Sequence, residues 1–173
     1  MYNGVGAAFE TTPCASLSYA QRPFSRAGSK AAVVIGKDID KSVLDKVRGR
    51  FEAIEMDTHI IGLCSDPIPI DVPVFNFGST LYECIVLLTT DEDRIKLPQV
   101  EEAFKDAINH GKTVVDVSGK AFALAGRSED ADQGMFAGAA SDEEMWDTMF
   151  DRLTKIFRYY ERQSETVMGK MDM

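Results

Sequence analysis

The chain has 173 residues, of which 45% are hydrophobic and 27% charged, a composition typical of one compact domain. Its 19 basic and 28 acidic residues give a net charge of −9. Nucleic acids and anionic membrane surfaces attract basic faces, and the sequence has no cluster of Lys and Arg, so we expect neither kind of partner. Three widely spaced cysteines, Cys14, Cys64 and Cys84, indicate neither a disulfide framework nor a zinc site.

The composition divides the chain into three regions. Residues 1–29 are rich in Gly, Ala, Ser, Thr and Pro, show no helical or strand period, and are interpreted as a leader or linker. Residues 30–162 alternate short apolar runs with amphipathic segments, which predicts one folded domain. Residues 163–173 are interpreted as a flexible tail.

The first half of the domain predicts three buried strands and a helix. The strands, at 30–36, 58–63 and 84–89, are short apolar runs, which is typical of a parallel sheet covered on both faces. Asp40 is placed to cap the helix that follows the first strand, and the apolar side chains of that helix share one face. Residues 66–78 contain three prolines and predict an edge hairpin or an extended excursion.

The second half continues the alternation. Pro98 suits the first turn of a helix, because its missing N–H needs no partner there, and Gly111 marks the end of that helix. A fourth strand at 113–117 leads into a turn and a short helix at 118–126. Residues 127–140 are interpreted as an acidic loop rich in Gly and Ala.

The last predicted element is a long amphipathic helix at 141–161. Ser141 and Glu144 have the spacing of a capping box, and Met and aromatic side chains recur along one helical face. Short apolar strands that alternate with amphipathic helices predict βαβ units. The fold class is therefore α/β with a mostly parallel sheet.

Three ligand motifs are incomplete. Residues 111–113 read Gly-Lys-Thr, but Asp106 stands where a phosphate loop needs glycine, and the strand and helix come in the reverse order. Gly4 and Gly6 lack the third glycine and the preceding strand of a dinucleotide fingerprint. Two acidic stretches lack the ligand spacing of a calcium loop. The sequence predicts no cofactor and no metal, with a flavodoxin-type flavin site as the open alternative.

Several segments together resemble the C-terminal domain of large-subunit, fungal-type catalases. They are KAAVVIG at 30–36, STLYECIVLL at 79–88, VEEAFKDAINHGK at 100–112 and FRYYER at 157–162. The resemblance covers about residues 30–162. It implies a three-layer, flavodoxin-like sandwich that is related to PfpI-like and class I glutamine amidotransferase-like domains.

The chain departs from the active relatives where they carry catalytic groups. Their nucleophilic Cys lies at an elbow after a strand, and the matching residues here are Val117, Ser118 and Gly119. No evident base can take the proton of the Ser118 hydroxyl, so we expect Ser118 to cap the following helix. The acid after the first strand and the Gly-Gly after the third are replaced at 36–38 and 89–91. The resemblance therefore implies a vestigial elbow and a non-enzymatic domain.

The resemblance also implies a function and partners. The parent protein would be a catalase, an oxidoreductase that removes hydrogen peroxide with haem held in a core that is absent from this chain. The domain is expected to stabilise that parent and to act as an ATP-independent holdase, with the catalase core, its tetramer and partly unfolded clients as partners. Its compartment, cytoplasmic or secreted, would follow the parent. The side chains expected to contact clients are apolar: Val74, Phe75, Phe77, Met135 and Phe136.

Two alternatives stay open. A purely structural domain would buttress the catalase tetramer through one helix face and three aromatic residues of the leader, Phe9, Tyr19 and Phe24. A residual PfpI-type hydrolase would turn over a carbonyl or peptide substrate. Its nucleophile would be one of three residues: Cys84, Cys64 or Ser118.

Overall fold

The computed structural model describes residues 25–156 and 158–159. The strands are β1 (Lys30–Ile35), β2 (Asp57–Gly62), β3 (Val72–Pro73), β4 (Cys84–Leu88), β5 (Thr113–Asp116) and β6 (Met135–Ala137). The helices are α1 (Lys41–Glu52), α2 (Glu92–Ile95), α3 (Pro98–Asn109), α4 (Lys120–Leu124) and α5 (Glu143–Lys155). Short 3-10 helices cover Val74–Asn76, Ser79–Leu81 and Ala131–Gln133.

The strands form one six-stranded sheet in the order β3-β2-β1-β4-β5-β6. Every neighbouring pair is parallel. Without the short edge strand β3, this is the strand order of a flavodoxin-like sheet, in which the first strand lies between the second and the next long strand. The structure confirms the predicted α/β, flavodoxin-like fold.

Helices cover both faces of the sheet and make three layers. On one face, α1 and α5 pack against Val33 and Ile35 of β1 and against Val86 of β4. On the other face, α2, α3 and α4 pack with Val34 and Ile85. Since adjacent residues of a strand point to opposite faces, a strand buried on both faces is apolar at every position. That requirement explains the continuous apolar run of β1.

The local signals of the first half are confirmed. Asp40 caps α1, because its carboxylate accepts a hydrogen bond from the Ser42 backbone N–H at 2.8 Å. Leu44, Val47 and Phe51 form the buried face of that helix.

The segment at 66–78 is an extended excursion and differs from the alternative of an edge hairpin, since β3 runs parallel to β2 and is followed by two 3-10 helices. Pro73 has no N–H to continue the ladder, which keeps this edge strand short.

The predicted loop at 127–140 contains a strand that the sequence did not reveal. Strand β6 pairs with β5, and both Met135 and Phe136 are buried. Three residues are too few to show a period of two, so only the neighbouring strand defines this one. The four-residue helix α2 is too short to show helical periodicity and was missed as well.

The last helix is shorter than predicted at both ends. Its cap is Asp142, whose carboxylate accepts the Met145 N–H at 3.0 Å, so the expected capping box at Ser141 is wrong by one residue. The helix ends at Lys155, and Ile156 is already extended. The chain leaves the helix because the Tyr159 N–H donates to the Gly111 carbonyl at 2.9 Å, beside the start of β5.

The described residues begin inside the segment that was interpreted as a linker. Arg26 is buried and bonds to the end of α5, so residues 25–29 contact the domain body. The remainder of the predicted linker, at 1–24, and the predicted tail, at 163–173, lie outside the described residues.

Candidate functional site

The carboxyl edge of the sheet is the first place to look for a site. In doubly wound folds, ligands bind outside the carboxyl ends of the strands, where the strand order reverses. Here the reversal lies between β1 and β4, because the chain moves from β1 to β2 on one side and returns through β4 on the other. Three groups of polar residues follow the strands at this edge, after β1 and β4, after β2, and after β5.

The first group fills the reversal point itself. The Asp38 carboxylate accepts hydrogen bonds from the Thr89 hydroxyl at 2.5 Å and from the Thr90 N–H and hydroxyl at 2.7 Å each. Burial alone would raise the pKa of Asp38, but these hydrogen bonds outweigh it and hold the pKa below its ordinary value. The carboxylate therefore serves as an anionic acceptor for the turn after β4.

Gly36 shows how tightly this point is filled. A Cβ added at Gly36 would lie 2.2 Å from the Thr89 hydroxyl oxygen and 2.7 Å from an Asp38 carboxylate oxygen. Real Cβ atoms do not approach so closely, so only glycine fits at this turn. The side chains of Thr89 and Asp38 therefore pack directly against the backbone of Gly36.

The second group is a buried ion pair. Arg94, at the end of α2, makes two parallel hydrogen bonds of 2.9 Å to the Asp66 carboxylate, in the loop after β2. Both side chains are almost fully buried. Asp66 also accepts the Leu63 N–H at 2.7 Å. A bidentate pair with a further donor satisfies its charges internally, so its polar atoms are committed to holding the loop on α2.

The third group is the predicted elbow. The Ser118 hydroxyl donates to the Asp116 carboxylate at 2.7 Å and accepts the Lys120 N–H at 3.1 Å. Asp116 is fully buried and also accepts the Ala121 N–H at 2.7 Å. Its carboxylate is therefore a cap for the start of α4, and the half-buried Val117 packs against the core. The arrangement matches the expected capping role of Ser118.

The backbone at this elbow differs from that of a strained nucleophile. Gly119 has φ +69°, whereas Glu55 is the non-glycine residue with a positive φ among those described. Val117 and Ser118 therefore both have a negative φ. A nucleophile elbow holds its reactive residue on a sharp, strained turn, and here glycine takes the unusual conformation instead.

The other candidate nucleophiles and both histidines lie elsewhere. Cys84 is fully buried in β4, and burial raises the pKa of its thiol to about 12. Cys64 is exposed in the loop after β2. His59 Nδ1 lies 3.2 Å from the Tyr82 hydroxyl, and His110 precedes β5, at the opposite edge from Ser118. Among the described residues, no hydrogen bond joins either histidine to Cys64, Cys84 or Ser118.

The amino edge of the sheet holds the residues that carry the catalase resemblance. The Ser79 hydroxyl donates a hydrogen bond to the Asp106 carboxylate. The Ser79 carbonyl accepts a hydrogen bond of 2.6 Å from the Lys112 ammonium group. Glu83 accepts a hydrogen bond from Arg158, and the Arg26 guanidinium lies 3.6 Å from the same carboxylate. These motif residues therefore form two neighbouring clusters that join β4, α3 and both ends of the domain.

Arg26 ties the two ends of the described chain together. Its Nε donates to the Leu153 carbonyl at 2.8 Å and its Nη2 to the Ile156 carbonyl at 2.7 Å. Leu153 lies in the last turn of α5 and Ile156 follows directly after it, and a cation is favourable beside the carbonyls at the end of a helix. Sequence reasoning missed these contacts, because the two carbonyls lie 127 and 130 residues after Arg26 in the chain and give no local pattern.

The side chains expected to contact clients are mostly in the core. Val74 and Phe77 pack in the cluster with α3, whereas Met135 and Phe136 belong to β6 and pack on opposite faces of the sheet. Each of these four is at most 7% exposed, so the folded domain offers almost none of their surface to a client. Phe75 differs, because 65% of its surface is exposed.

Comparison with known proteins adds no relative. No protein-family model and no curated protein matches the chain.

Within residues 25–156 and 158–159, no helix has the length and apolar character needed to cross a bilayer. The same residues contain no cluster of three or more His, Cys, Asp or Glu side chains arranged to hold a metal ion.

Proposed function

We propose that the chain is a non-catalytic, flavodoxin-like domain of a large-subunit catalase, which stabilises its parent and holds partly unfolded proteins without ATP. The observation that carries the proposal is the closed carboxyl edge. The carboxylates of Asp38, Asp66 and Asp116 each accept hydrogen bonds from neighbouring groups of the chain. When the polar groups at this edge already have hydrogen-bond partners within the chain, the function of the domain is better sought on its outer surface.

The amino edge supports the family part of the proposal. Ser79, Glu83 and Lys112 belong to the segments that resemble the catalase domain, and all three make polar contacts between elements. A motif whose residues hold the fold together does not require a catalytic role. This accounts for the presence of the motif in a domain that lacks the nucleophile of its active relatives.

The exposed apolar residues support client holding. Phe75 is 65% and Leu81 70% exposed. A holdase needs apolar surface to contact unfolded chains and a charge that keeps the complex soluble. The net charge of −9 supplies the latter.

The test is the aggregation of an unrelated enzyme on heating, followed by light scattering, with the domain at a near-stoichiometric ratio and without ATP. We expect scattering to be suppressed, while a compact protein of equal net charge leaves it unchanged. No suppression would contradict the holdase function. If the domain then still raised the melting temperature of the catalase core, a purely structural role would remain.

A second assay separates the hydrolase alternative. The wild-type chain is incubated with reactive carbonyl and peptide substrates and compared with Ser118→Ala and with Cys64→Ser. We expect no turnover above background in any of them, because the Ser118 hydroxyl is committed to Asp116. Turnover that disappears in Ser118→Ala or in Cys64→Ser would contradict the non-catalytic assignment.

A further inference from the structure

Two short arms of the chain meet at the amino edge of the sheet. We call residues 25–29, which lead into β1, the N-terminal arm, and the residues Ile156, Arg158 and Tyr159, which follow α5, the C-terminal arm. Each arm places an arginine against the carboxylate of Glu83, directly before β4. The arms therefore share one anchoring residue, although they come from opposite ends of the described chain.

Arg26 also joins the N-terminal arm directly to the base of the C-terminal arm. It is 5% exposed, and it donates hydrogen bonds to the Leu153 carbonyl in the last turn of α5 and to the Ile156 carbonyl directly after it. Ile156 has an extended backbone, with φ −117° and ψ 119°, so the chain leaves the helix at this residue. Arg26 thus fixes the point from which the C-terminal arm starts, and loss of this contact would free that arm at its base.

The far end of the C-terminal arm has a closely fitted seat. The Tyr159 N–H donates to the Gly111 carbonyl at 2.9 Å, and Tyr159 is 2% exposed. A Cβ added at Gly134 would lie 2.1 Å from a carbon of the Tyr159 ring, and one added at Gly111 would lie 2.8 Å from the Tyr159 carbonyl oxygen. Tyr159 therefore lies directly against two glycines. Because a small gap already forfeits much of the packing energy, so close a fit favours either a docked or an undocked arm over intermediate positions.

Glu83 links the two arms a second time. Its carboxylate accepts a hydrogen bond from Arg158, and Nη1 of Arg26 lies 3.6 Å from the same carboxylate oxygen. Its backbone N–H donates to the Lys30 carbonyl at 2.8 Å, where the N-terminal arm enters β1. The first arginine to dock orders the carboxylate, so the second arginine loses less conformational entropy when it docks. Docking of one arm therefore favours docking of the other.

We propose that the two arms form one cooperative clasp, in which Arg26 and Glu83 make the arms dock and open together. Contiguous parts of a folded domain commonly open as units at a lower free energy than global unfolding. Opening of this clasp uncovers the Tyr159 ring and frees the end of α5.

The clasp acts as a switch that is operated from the N-terminal arm. That arm can be reached from solvent in the closed clasp, since three of its residues are exposed: Ser25, Ala27 and Gly28. A partner that captures the arm, or a protease that cuts it, shifts the population to the open clasp and exposes an aromatic side chain at the amino edge. The clasp requires neither the proposed catalase parent nor the holdase function.

The first experiment follows amide hydrogen exchange of the unmodified full chain by NMR at increasing, sub-denaturing urea. The reporters are the Gly28 N–H, which donates to the Glu55 carbonyl at 3.0 Å, the Tyr159 N–H and, for global unfolding, the Val34 N–H in the central strand β1. We expect Gly28 and Tyr159 to show equal urea slopes and opening constants within about threefold of one another, both at least about tenfold larger than that of Val34. Opening constants that differ beyond this range, or that equal that of Val34, would overturn the proposal.

Arg26→Met tests the link from the N-terminal arm to the C-terminal arm. We expect the Tyr159 N–H to exchange at least about tenfold faster than in the wild type, because the variant weakens the closed clasp. Arg50→Met is the matched control, since Arg50 bonds to two acids in the first half of α5, outside the clasp. It should leave the exchange of Tyr159 unchanged within about twofold. Unchanged exchange of Tyr159 in folded Arg26→Met would overturn the proposal.

Tyr159→Ala tests the link in the other direction. Because coupling between two sites is reciprocal, we expect the Gly28 N–H to exchange at least about tenfold faster in this variant. His110→Ala is the control, since it removes an exposed ring next to Gly111 and should leave the exchange of Gly28 unchanged within about twofold. Unchanged exchange of Gly28 in folded Tyr159→Ala would overturn the proposal. The wild-type experiment needs no variant and decides the matter if either variant fails to fold.

Discussion

The two edges of the sheet are both closed, but by different means. At the carboxyl edge, carboxylates accept hydrogen bonds from nearby backbone N–H groups and hydroxyls, as Asp38 and Asp116 do. At the amino edge, cations reach across the domain, as Arg26 does to α5. The first arrangement fixes the turns that follow the strands, and the second holds Arg26 against the end of α5. The comparison teaches that carboxylates fix local turns at one edge, whereas cations join distant segments at the other.

The largest effect is expected from the buried pair at the carboxyl edge. Arg94→Ala leaves the fully buried Asp66 carboxylate without its cation, so we expect the free energy of unfolding to fall by about 3–5 kcal/mol in urea titrations. Lys96→Ala removes an exposed partner of Glu92 and is the matched control, with a loss below about 1 kcal/mol.

The double variant Asp66→Leu with Arg94→Met sharpens this result. It replaces both charges by apolar side chains, so most of the lost stability should return. A double variant as unstable as Arg94→Ala would mean that the pair contributes more than charge compensation.

The next effect is expected at the amino edge. Arg26→Met removes the cation from the last carbonyls of α5, and we expect a loss of about 2–3 kcal/mol by thermal or urea unfolding. Arg48→Met, at an exposed position of α1, should change stability by no more than about 0.5 kcal/mol.

Truncation tests the same contact. A chain shortened to begin at residue 25 keeps Arg26 and should be as stable to urea as the full chain, whereas a chain shortened to begin at residue 30 should be less stable. Equal stability of the two shortened chains would place the domain boundary at residue 30.

The smallest effect is a pH dependence at Glu83. Burial alone would raise the pKa of this carboxyl, but the hydrogen bond and charge of Arg158 and the charge of Arg26 hold the pKa below its ordinary value of 4.5. Because the pKa is lower in the folded state, the contribution of Glu83 is present above pH 4.5 and is lost as pH falls further.

Glu83→Gln tests this dependence by urea unfolding at pH values between 7 and 3. At neutral pH the wild type should be more stable by about 1 kcal/mol, and this difference should shrink in acid. Glu52→Gln, at an exposed helix end, is the control and should follow the wild type throughout. Asp38→Asn should show the same direction at the opposite edge, because the pKa of Asp38 is lowered too. A difference that grows on acidification would contradict the assignment at Glu83.

Local signals were sufficient for most of the fold. Strands β1 and β4 are continuous apolar runs, and the cap at Asp40 lies next to the helix that it stabilises. Strand β6 escaped prediction because three residues show no period. The end of α5 is set by contacts at Gly111 and Arg26, far away in the sequence, so the helical pattern alone overestimated its length.

The polar clusters were less accessible to sequence reasoning. The role of Ser118 as a cap follows from its place after a strand and before a helix, and it was predicted. The pairing of Asp66 with Arg94 spans 28 residues and has no local signature. The burial of Val74, Met135 and Phe136 depends on how the excursion and β6 fold back on the sheet, which composition does not reveal.

The short outer strands have a consequence for how this molecule meets other chains. An exposed strand edge is a template for a foreign strand, and templating of that kind leads to aggregation. Here β3 has two residues, one of them Pro73, which has no N–H. On the outer edge of β6, Met135 already exchanges both backbone hydrogen bonds with Asp130. A domain with such edges can touch unfolded chains through its side chains without seeding a shared sheet.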